Sequence, residues 1–162
     1  MPSRAESSVD GTPRGQGFAI GRNGLITTWN PGANSNVYAL TVSGSSVYIG
    51  TYGAVAHAAQ APLRRRGHRR HARPRTVAVD GTVYAIAAKG DAIYLRGSFE
   101  NAGGAPRAHL AVIGTDGTLK AAVAELSSDV YALAVRDDAV VAGGGFNAAD
   151  GESRGNLVHL PR

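Results

Sequence analysis

The chain contains no cysteine, one methionine, one tryptophan and no long apolar run. The absence of cysteine excludes disulfides, thiol catalysis and thiolate-bound zinc. No run approaches the roughly 18 apolar residues of a transmembrane helix, so no membrane span is expected. Residues 1–8 lack the apolar core of a signal peptide and are predicted to be a disordered N-terminus.

Motifs that name a reaction are also missing. The sequence has no Gly-x-Ser-x-Gly elbow, no phosphate loop and no dinucleotide fingerprint. His68 and His71 lie among arginines, whose charge opposes a metal cation, so no metal site is expected. The sequence therefore predicts a protein that is not an enzyme and that uses no cofactor.

A short phrase, Val-Tyr-Ala followed by Leu or Ile, occurs three times along the chain. Its tyrosines are Tyr38, Tyr84 and Tyr131, so the period is 46 and then 47 residues. A regular period of this size indicates one supersecondary unit that is copied and stacked. Because each tyrosine lies inside an apolar run, we interpret these residues as structural packing residues of the repeat.

Other elements recur in the same phase. Each tyrosine phrase is followed by a polar turn and a second β-rich run, a pattern that predicts a hairpin. A third run follows a turn that ends in arginine, at Arg14, Arg107 and Arg154. These arginines are predicted to pair with acidic neighbours or to cap carbonyl groups. A weaker fourth run leads into the next copy, so the repeat predicts four short strands.

The predicted fold class is all-β. Four strands in about 46 residues match one blade of a β-propeller, so residues 9–162 are predicted to be an incomplete array of about three four-stranded blades. A β-solenoid and an open β-meander are the alternatives. Three blades leave open strand edges, which favour pairing with missing blades or with another copy of the chain. The chain is therefore interpreted as a fragment of a longer protein.

The segments Trp-Asn-Pro from Trp29, Val-Tyr-Ala from Val37, Gly-Ser-Phe from Gly97 and Gly-Gly-Ala-Pro-Arg from Gly103 resemble one repeat family. It is the delta-60 type of β-propeller repeat found in secreted bacterial proteins, often from actinobacteria. The resemblance covers most of residues 9–162. It implies an extracellular or cell-surface location.

Residues 53–76 break the pattern with an arginine-rich run in which seven arginines fall between residues 63 and 75. The third strand of its repeat was expected to start near Leu63. Arginine, histidine, alanine and proline codons are rich in G and C, so a local frameshift in a G/C-rich gene is one hypothesis. A genuine insertion is another. The candidate polyanion-binding residues are Arg64, Arg65, Arg66, Arg69 and Arg70.

The net charge does not favour a nucleic-acid partner. The formal charge of +5 comes from 17 basic and 12 acidic residues, and the run from 63 to 75 supplies seven of the basic ones. The rest of the chain is slightly acidic, so no diffuse basic face is expected. The function predicted is a non-catalytic module for recognition or spacing, with an unknown protein or carbohydrate ligand. A propeller enzyme fragment (lyase, hydrolase or quinoprotein type) and polyanion binding through the arginines are the alternatives.

Overall fold

The computed structural model describes residues 8–9, 11–13, 16–20, 22–27, 29, 31, 33, 35–59, 75–121, 124–136 and 139–161. Within these ranges the chain is all-β and no residue is helical. The fifteen strands are β1 Ser8–Val9, β2 Thr12–Pro13, β3 Ala39–Ser43, β4 Ser46–Gly50, β5 Tyr52–Ala59, β6 Arg75–Lys89, β7 Ala92–Gly97, β8 Asn101–Ala102, β9 Ala105–Pro106, β10 Leu110–Gly114, β11 Val130–Val135, β12 Ala139–Gly144, β13 Ala148–Ala149, β14 Glu152–Ser153 and β15 Leu157–Pro161.

The larger strands form antiparallel sheets in which neighbours in sequence pair. The main path runs β10-β7-β6-β5-β4-β3, and a separate sheet has the order β11-β12-β15. The main sheet is curled like half of a barrel. Strands β3 to β15 are grouped here by the sequence period into three units, which are the described residues within 37–79, 83–126 and 130–161. Ser8, the last residue of the segment predicted to be disordered, belongs to β1, and residues 1–7 lie outside the described part.

Backbone hydrogen bonds follow the predicted repeat. The Gly97 amide donates to the His109 carbonyl at 3.2 Å, and 47 residues later the Gly144 amide donates to the Asn156 carbonyl at 2.9 Å. The N-terminal residues join the same register. The Thr27 amide donates to the Ala19 carbonyl at 2.8 Å, as the Lys120 amide does to the Val112 carbonyl 93 residues later. The period read from the sequence is therefore a period of the structure.

A short hairpin separates the second and third strands of two units, β8–β9 in the second and β13–β14 in the third. The Asp80 carboxylate anchors the first hairpin by accepting hydrogen bonds from the amides of Glu100 and Asn101, both at 2.9 Å. The Ser127 hydroxyl anchors the second by accepting bonds from the amides of Asn147 and Ala148. An acceptor at one repeat position therefore holds each hairpin, with a carboxylate in one unit and a hydroxyl in the next.

Among the described residues the core consists of two apolar clusters, each between adjacent units. The first cluster joins the first two units and includes Tyr48, Val83, Ile93, Leu95 and Phe99. The second cluster joins the last two units and contains the corresponding residues one repeat later, Tyr94, Val130, Val140, Ala142 and Phe146. Val83, Phe99, Val130 and Phe146 are fully buried. The units therefore stack face to face through the same side chains twice.

The first unit departs from the expected strand positions. The strand paired with β4 is β5, Tyr52–Ala59, and its Val55 faces Gly50 as Leu110 faces Arg96 in the second unit. The third strand follows the second directly, through a turn in which the Thr51 amide donates to the Ala54 carbonyl at 3.0 Å. No hairpin lies between these two strands, so the third strand begins before the expected position near Leu63. Residues 60–74 lie outside the described part.

One strand, β6, continues from the first unit into the second. Its first part pairs with β5 and its last part with β7. Gly81 lies at the crossing point, where a Cβ atom would come within 2.7 Å of the Ser98 carbonyl oxygen and 2.9 Å of the Phe99 amide nitrogen. A glycine is needed because the two backbones approach this closely. The fourth strand of one unit and the first strand of the next, expected as separate runs, are therefore one element.

A candidate recognition surface

The three repeated tyrosines form a row across the three units, called here the tyrosine ladder. The rings of Tyr38 and Tyr84 pack edge to face with centroids 6.2 Å apart, and those of Tyr84 and Tyr131 are tilted with centroids 6.1 Å apart. Both distances lie in the range of favourable aromatic pairs. The tyrosines pack on one another and are not enclosed by the core. Tyr38 is 48% exposed, Tyr131 is 62% exposed and Tyr84 is half-buried.

Local backbone irregularities help to position the ladder. The pairing of β6 with β7 shifts register between Val83 and Ala85, and the pairing of β11 with β12 shifts between Val130 and Ala132. Tyr84 and Tyr131 are the extra residues at these two bulges. A β-bulge bends the strand and redirects a side chain. The neighbouring valines keep their places in the core while the tyrosines turn toward the surface.

Polar groups accompany the exposed rings. Among the described residues, none of the three ladder hydroxyls has a hydrogen-bond partner. A Tyr ring with an unpartnered hydroxyl offers an apolar face and a polar tip to a ligand.

Tyr52, which is 65% exposed, stands at the repeat position of Ser98 and Gly145 and adds a further surface ring in the first unit. Tyr52 was not among the residues predicted from the sequence, although the other copies hold small residues at its position.

The repeated arginines lie in different surroundings. Arg14 is outside the described residues. The Arg107 guanidinium donates to the carbonyls of Pro106 and Lys120, at 2.6 Å and 3.1 Å, which joins the end of β9 to the fourth run of its unit. Arg154 is exposed, and its backbone amide donates to the Asn147 carbonyl.

The candidate polyanion-binding residues Arg64, Arg65, Arg66, Arg69 and Arg70 lie outside the described part of the chain. Their prediction therefore stays a prediction. Among the residues that are described, no group of three or more histidine, aspartate or glutamate side chains is arranged to hold a metal ion.

A buried arginine that was not predicted from the sequence lies at the second junction, which is the contact between the second and third units. Arg96 is fully buried, and its Nε, Nη1 and Nη2 atoms have no hydrogen-bond partner among the described residues. Burial lowers the pKa of its guanidinium well below the ordinary arginine value, to about 9. In the other units this position holds Gly50 and Gly143. The sequence indicates this difference, because a single arginine stands at a position that holds glycine in the other units.

His109 and Asp129 connect the second and third units beside this arginine. The His109 Nδ1 atom lies 3.1 Å from the Gly97 carbonyl and 3.4 Å from an Asp129 carboxylate oxygen. Because both partners are acceptors, Nδ1 carries the proton. One repeat later the Asn156 side-chain amide donates to the Gly144 carbonyl at 2.9 Å. Because an asparagine makes the corresponding contact one repeat later, we interpret the role of the His109 contact as satisfying the Gly97 backbone carbonyl.

No family model matches the chain, and no curated protein does. Among solved structures, the chain is similar to the computationally designed Ika8 protein, with 15% identity and a TM-score of 0.52 over 89% of this chain and 52% of that one. The chain thus spans about half the length of that designed protein, and the likeness concerns fold alone. The computationally designed Ika4 protein matches with 18% identity and a TM-score of 0.36, over 80% of this chain and 94% of that chain. Within the described ranges there is no helix with the length and apolar character for crossing a membrane.

Proposed function

We propose that this chain is a non-catalytic recognition module of the β-propeller type, related to the delta-60 repeats, and that it binds carbohydrate on its tyrosine ladder. The fold part of the proposal is supported by the repeat of hydrogen bonds at 47 residues and by the face-to-face packing of the units. The first unit has four paired strands, β3, β4, β5 and the first part of β6. Stacked four-stranded units are the plan of a propeller. An extracellular location follows from the family resemblance alone.

The observation that carries the binding proposal is the exposure of the ladder. Aromatic side chains that recur at one repeat position are expected to pack inside, yet Tyr38 and Tyr131 are 48% and 62% exposed. Three adjacent rings whose hydroxyls have no hydrogen-bond partner among the described residues present apolar faces and hydrogen-bonding tips together, which suits the mixed surface of a sugar. The groups that recur on this surface are aromatic and not acid–base pairs, which supports recognition over catalysis.

The test uses soluble neutral oligosaccharides (cellohexaose, maltohexaose and chitohexaose) as probes, with binding measured by calorimetry and by NMR shifts of the tyrosine rings. Tyr131→Ala is expected to weaken binding of the preferred sugar about tenfold or more, because stacking area is lost. Tyr131→Phe keeps the ring and is expected to retain most of the affinity. Phe18→Ala, which removes another exposed aromatic residue outside the ladder, is the matched control.

Two outcomes would contradict the proposal. One is the absence of binding to every probe by the folded wild-type chain. The other is a Tyr131→Ala variant that binds as tightly as the Phe18→Ala control. Ring resonances of Tyr38, Tyr84 and Tyr131 that shift on titration, while that of buried Tyr48 does not, would support it.

A further inference from the structure

The first unit presents an apolar face that no described residue covers. It consists of Leu40 and Val42 on β3, which are 63% and 57% exposed and are called here the head face. The same positions in the third unit hold Leu133 and Val135, which pack against the second core cluster. In the second unit they hold Ile86 and Ala88, which pack against the first cluster. Within the part of the chain that the structure describes, the head face is thus a packing surface without its partner.

The third unit presents the opposite surface, also uncovered. Leu157 on β15 is 69% exposed, whereas Leu110, one repeat earlier, is 1% exposed in the second cluster. The exposed His159 likewise stands where Val112 is buried. Leu157 and His159 form the tail face, together with Val141 on β12. A groove of about 420 Å³ adjoins this face, and Leu157 and His159 are among the residues that line it.

The two faces are the two halves of one interface. In the second junction, Leu133 and Val135 of the third unit pack against the cluster that contains Leu110 and Val112 of the second unit. The head face repeats the first pair, and the tail face repeats the second. We propose that a second copy of this chain docks its head face on the tail face of the first copy, so that the copies associate head to tail.

A second copy fits better than an unrelated partner because the chain already makes this contact within itself. Docking would bury Leu40, Val42 and Leu157 by the same packing that buries their counterparts, and burial of a leucine or valine side chain is favourable. Both ends carry β strands whose registers are set by the repeat, so the contact is heterologous and uses two different faces. It would also place Tyr38 of one copy beside Tyr131 of the other, as Tyr84 lies beside Tyr131 within one chain.

The first experiment measures the mass of the full 162-residue chain by sedimentation at about 100 μM, where an interface of standard size is populated. The wild-type chain is expected at a mass of at least two 16.6 kDa copies. Leu40→Asp removes the head face and Leu157→Asp removes the tail face. Each variant alone is expected to be monomeric, with association weakened on the order of a hundredfold because a charge would be buried without a partner.

Mixing the two variants tests the polarity of the contact. Leu40→Asp keeps a wild-type tail face and Leu157→Asp keeps a wild-type head face, so an equimolar mixture is expected to regain one intact interface and form a heterodimer. If like faces met instead, each variant would still pair through its unchanged face. The mixing result therefore separates head-to-tail docking from the symmetric arrangement.

Leu25→Asp is the matched control, because Leu25 is 66% exposed and lies outside both faces. It is expected to associate like the wild type. Circular dichroism and thermal melts check that all variants fold, which Leu40 and Leu157 should tolerate because both are exposed. A monomeric wild type, a single variant that still self-associates, or a mixture that stays monomeric would each overturn the proposal. These results do not depend on sugar binding.

Discussion

The two junctions between units use corresponding apolar residues, but they differ sharply at the position of Gly50 and Arg96. At the first junction Gly50 lies against the second unit, and an added Cβ would come within 2.8 Å of Val83 Cγ1 and 3.1 Å of Ile86 Cδ1. At the second junction the same position holds Arg96, fully buried and without a hydrogen-bond partner among the described residues. One repeat position therefore accepts either no side chain or a long cationic one. The difference shows that the stacking of units does not require identical chemistry, and that the second junction carries a destabilising element.

The largest effect is expected from replacing Arg96 by methionine. Methionine fills a similar volume without a charge, and replacing buried charged groups by apolar residues is often stabilising by 1–4 kcal/mol. Arg96→Met is therefore expected to raise the free energy of unfolding by about 3 kcal/mol at pH 7. Urea denaturation measures this change. Arg154→Met, at an exposed arginine, is the control and should change stability little.

The pH dependence gives a second check of the same variant. Burial lowers the pKa of Arg96 to about 9 in the folded chain, well below its ordinary value in the unfolded chain. Above pH 9 the unfolded state therefore binds more protons at this group than the folded state does, so the wild type gains stability as pH rises. Below pH 9 the destabilisation by the buried Arg96 charge is fully present. Above pH 9 the difference in the free energy of unfolding between the wild type and Arg96→Met should narrow. A gap that stays constant up to pH 11, or a less stable Arg96→Met variant at pH 7, would contradict this account of the second junction.

At the first junction we expect a smaller change in the free energy of unfolding, which is a loss of stability and not a gain. Gly50→Ala would place a methyl group against Val83 and Ile86. Overpacking of this kind typically costs 1–3 kcal/mol, and a loss of about 1.5 kcal/mol is expected. Gly143→Ala is the matched control, because a Cβ there has no neighbour closer than 3.7 Å. Urea denaturation measures both variants. Equal losses in the free energy of unfolding would show that the close contacts of Gly50 with Val83 and Ile86 do not make it more sensitive than Gly143.

The sequence predicted the all-β class and the repeat period because apolar runs, turns and their spacing are local signals. The pairing of β6 with β7 and of β11 with β12 as hairpins follows directly from these signals. The single arginine at a glycine position marks Arg96 as unusual, but its burial depends on the packing of the next unit over β7 and is not a local signal. The exposure of Tyr131 depends on a bulge, which alternation along a strand does not reveal.

The third strand of the first unit shows another limit of the sequence signal. The repeat placed that strand near Leu63, since it assumed that every copy carries the same hairpin. The pairing of Tyr52–Ala59 with β4 instead follows from the loss of that hairpin, which brings the third strand forward along the chain. The Ala-rich run from 54 to 59 has little β propensity, so its place in the sheet is decided by its partners β4 and β6.

The smallest effect expected is a pH response that distinguishes the two hairpin anchors. Hydrogen bonds from the Asn101 side chain and from backbone amides hold the pKa of Asp80 below its usual 3.8, whereas its counterpart Ser127 does not titrate. A depressed carboxyl pKa stabilises the fold above the unfolded value, and this contribution disappears as pH falls through the folded pKa. The melting temperature of wild type should therefore exceed that of Asp80→Ala at pH 6, and the difference should shrink toward pH 3. Ser127→Ala should lower the melting temperature by the same amount at both pH values. If the melting-temperature difference between the wild type and Asp80→Ala were also the same at pH 6 and pH 3, the charge of Asp80 would have no part in anchoring its hairpin. The two hairpin anchors, Asp80 and Ser127, would then be equivalent.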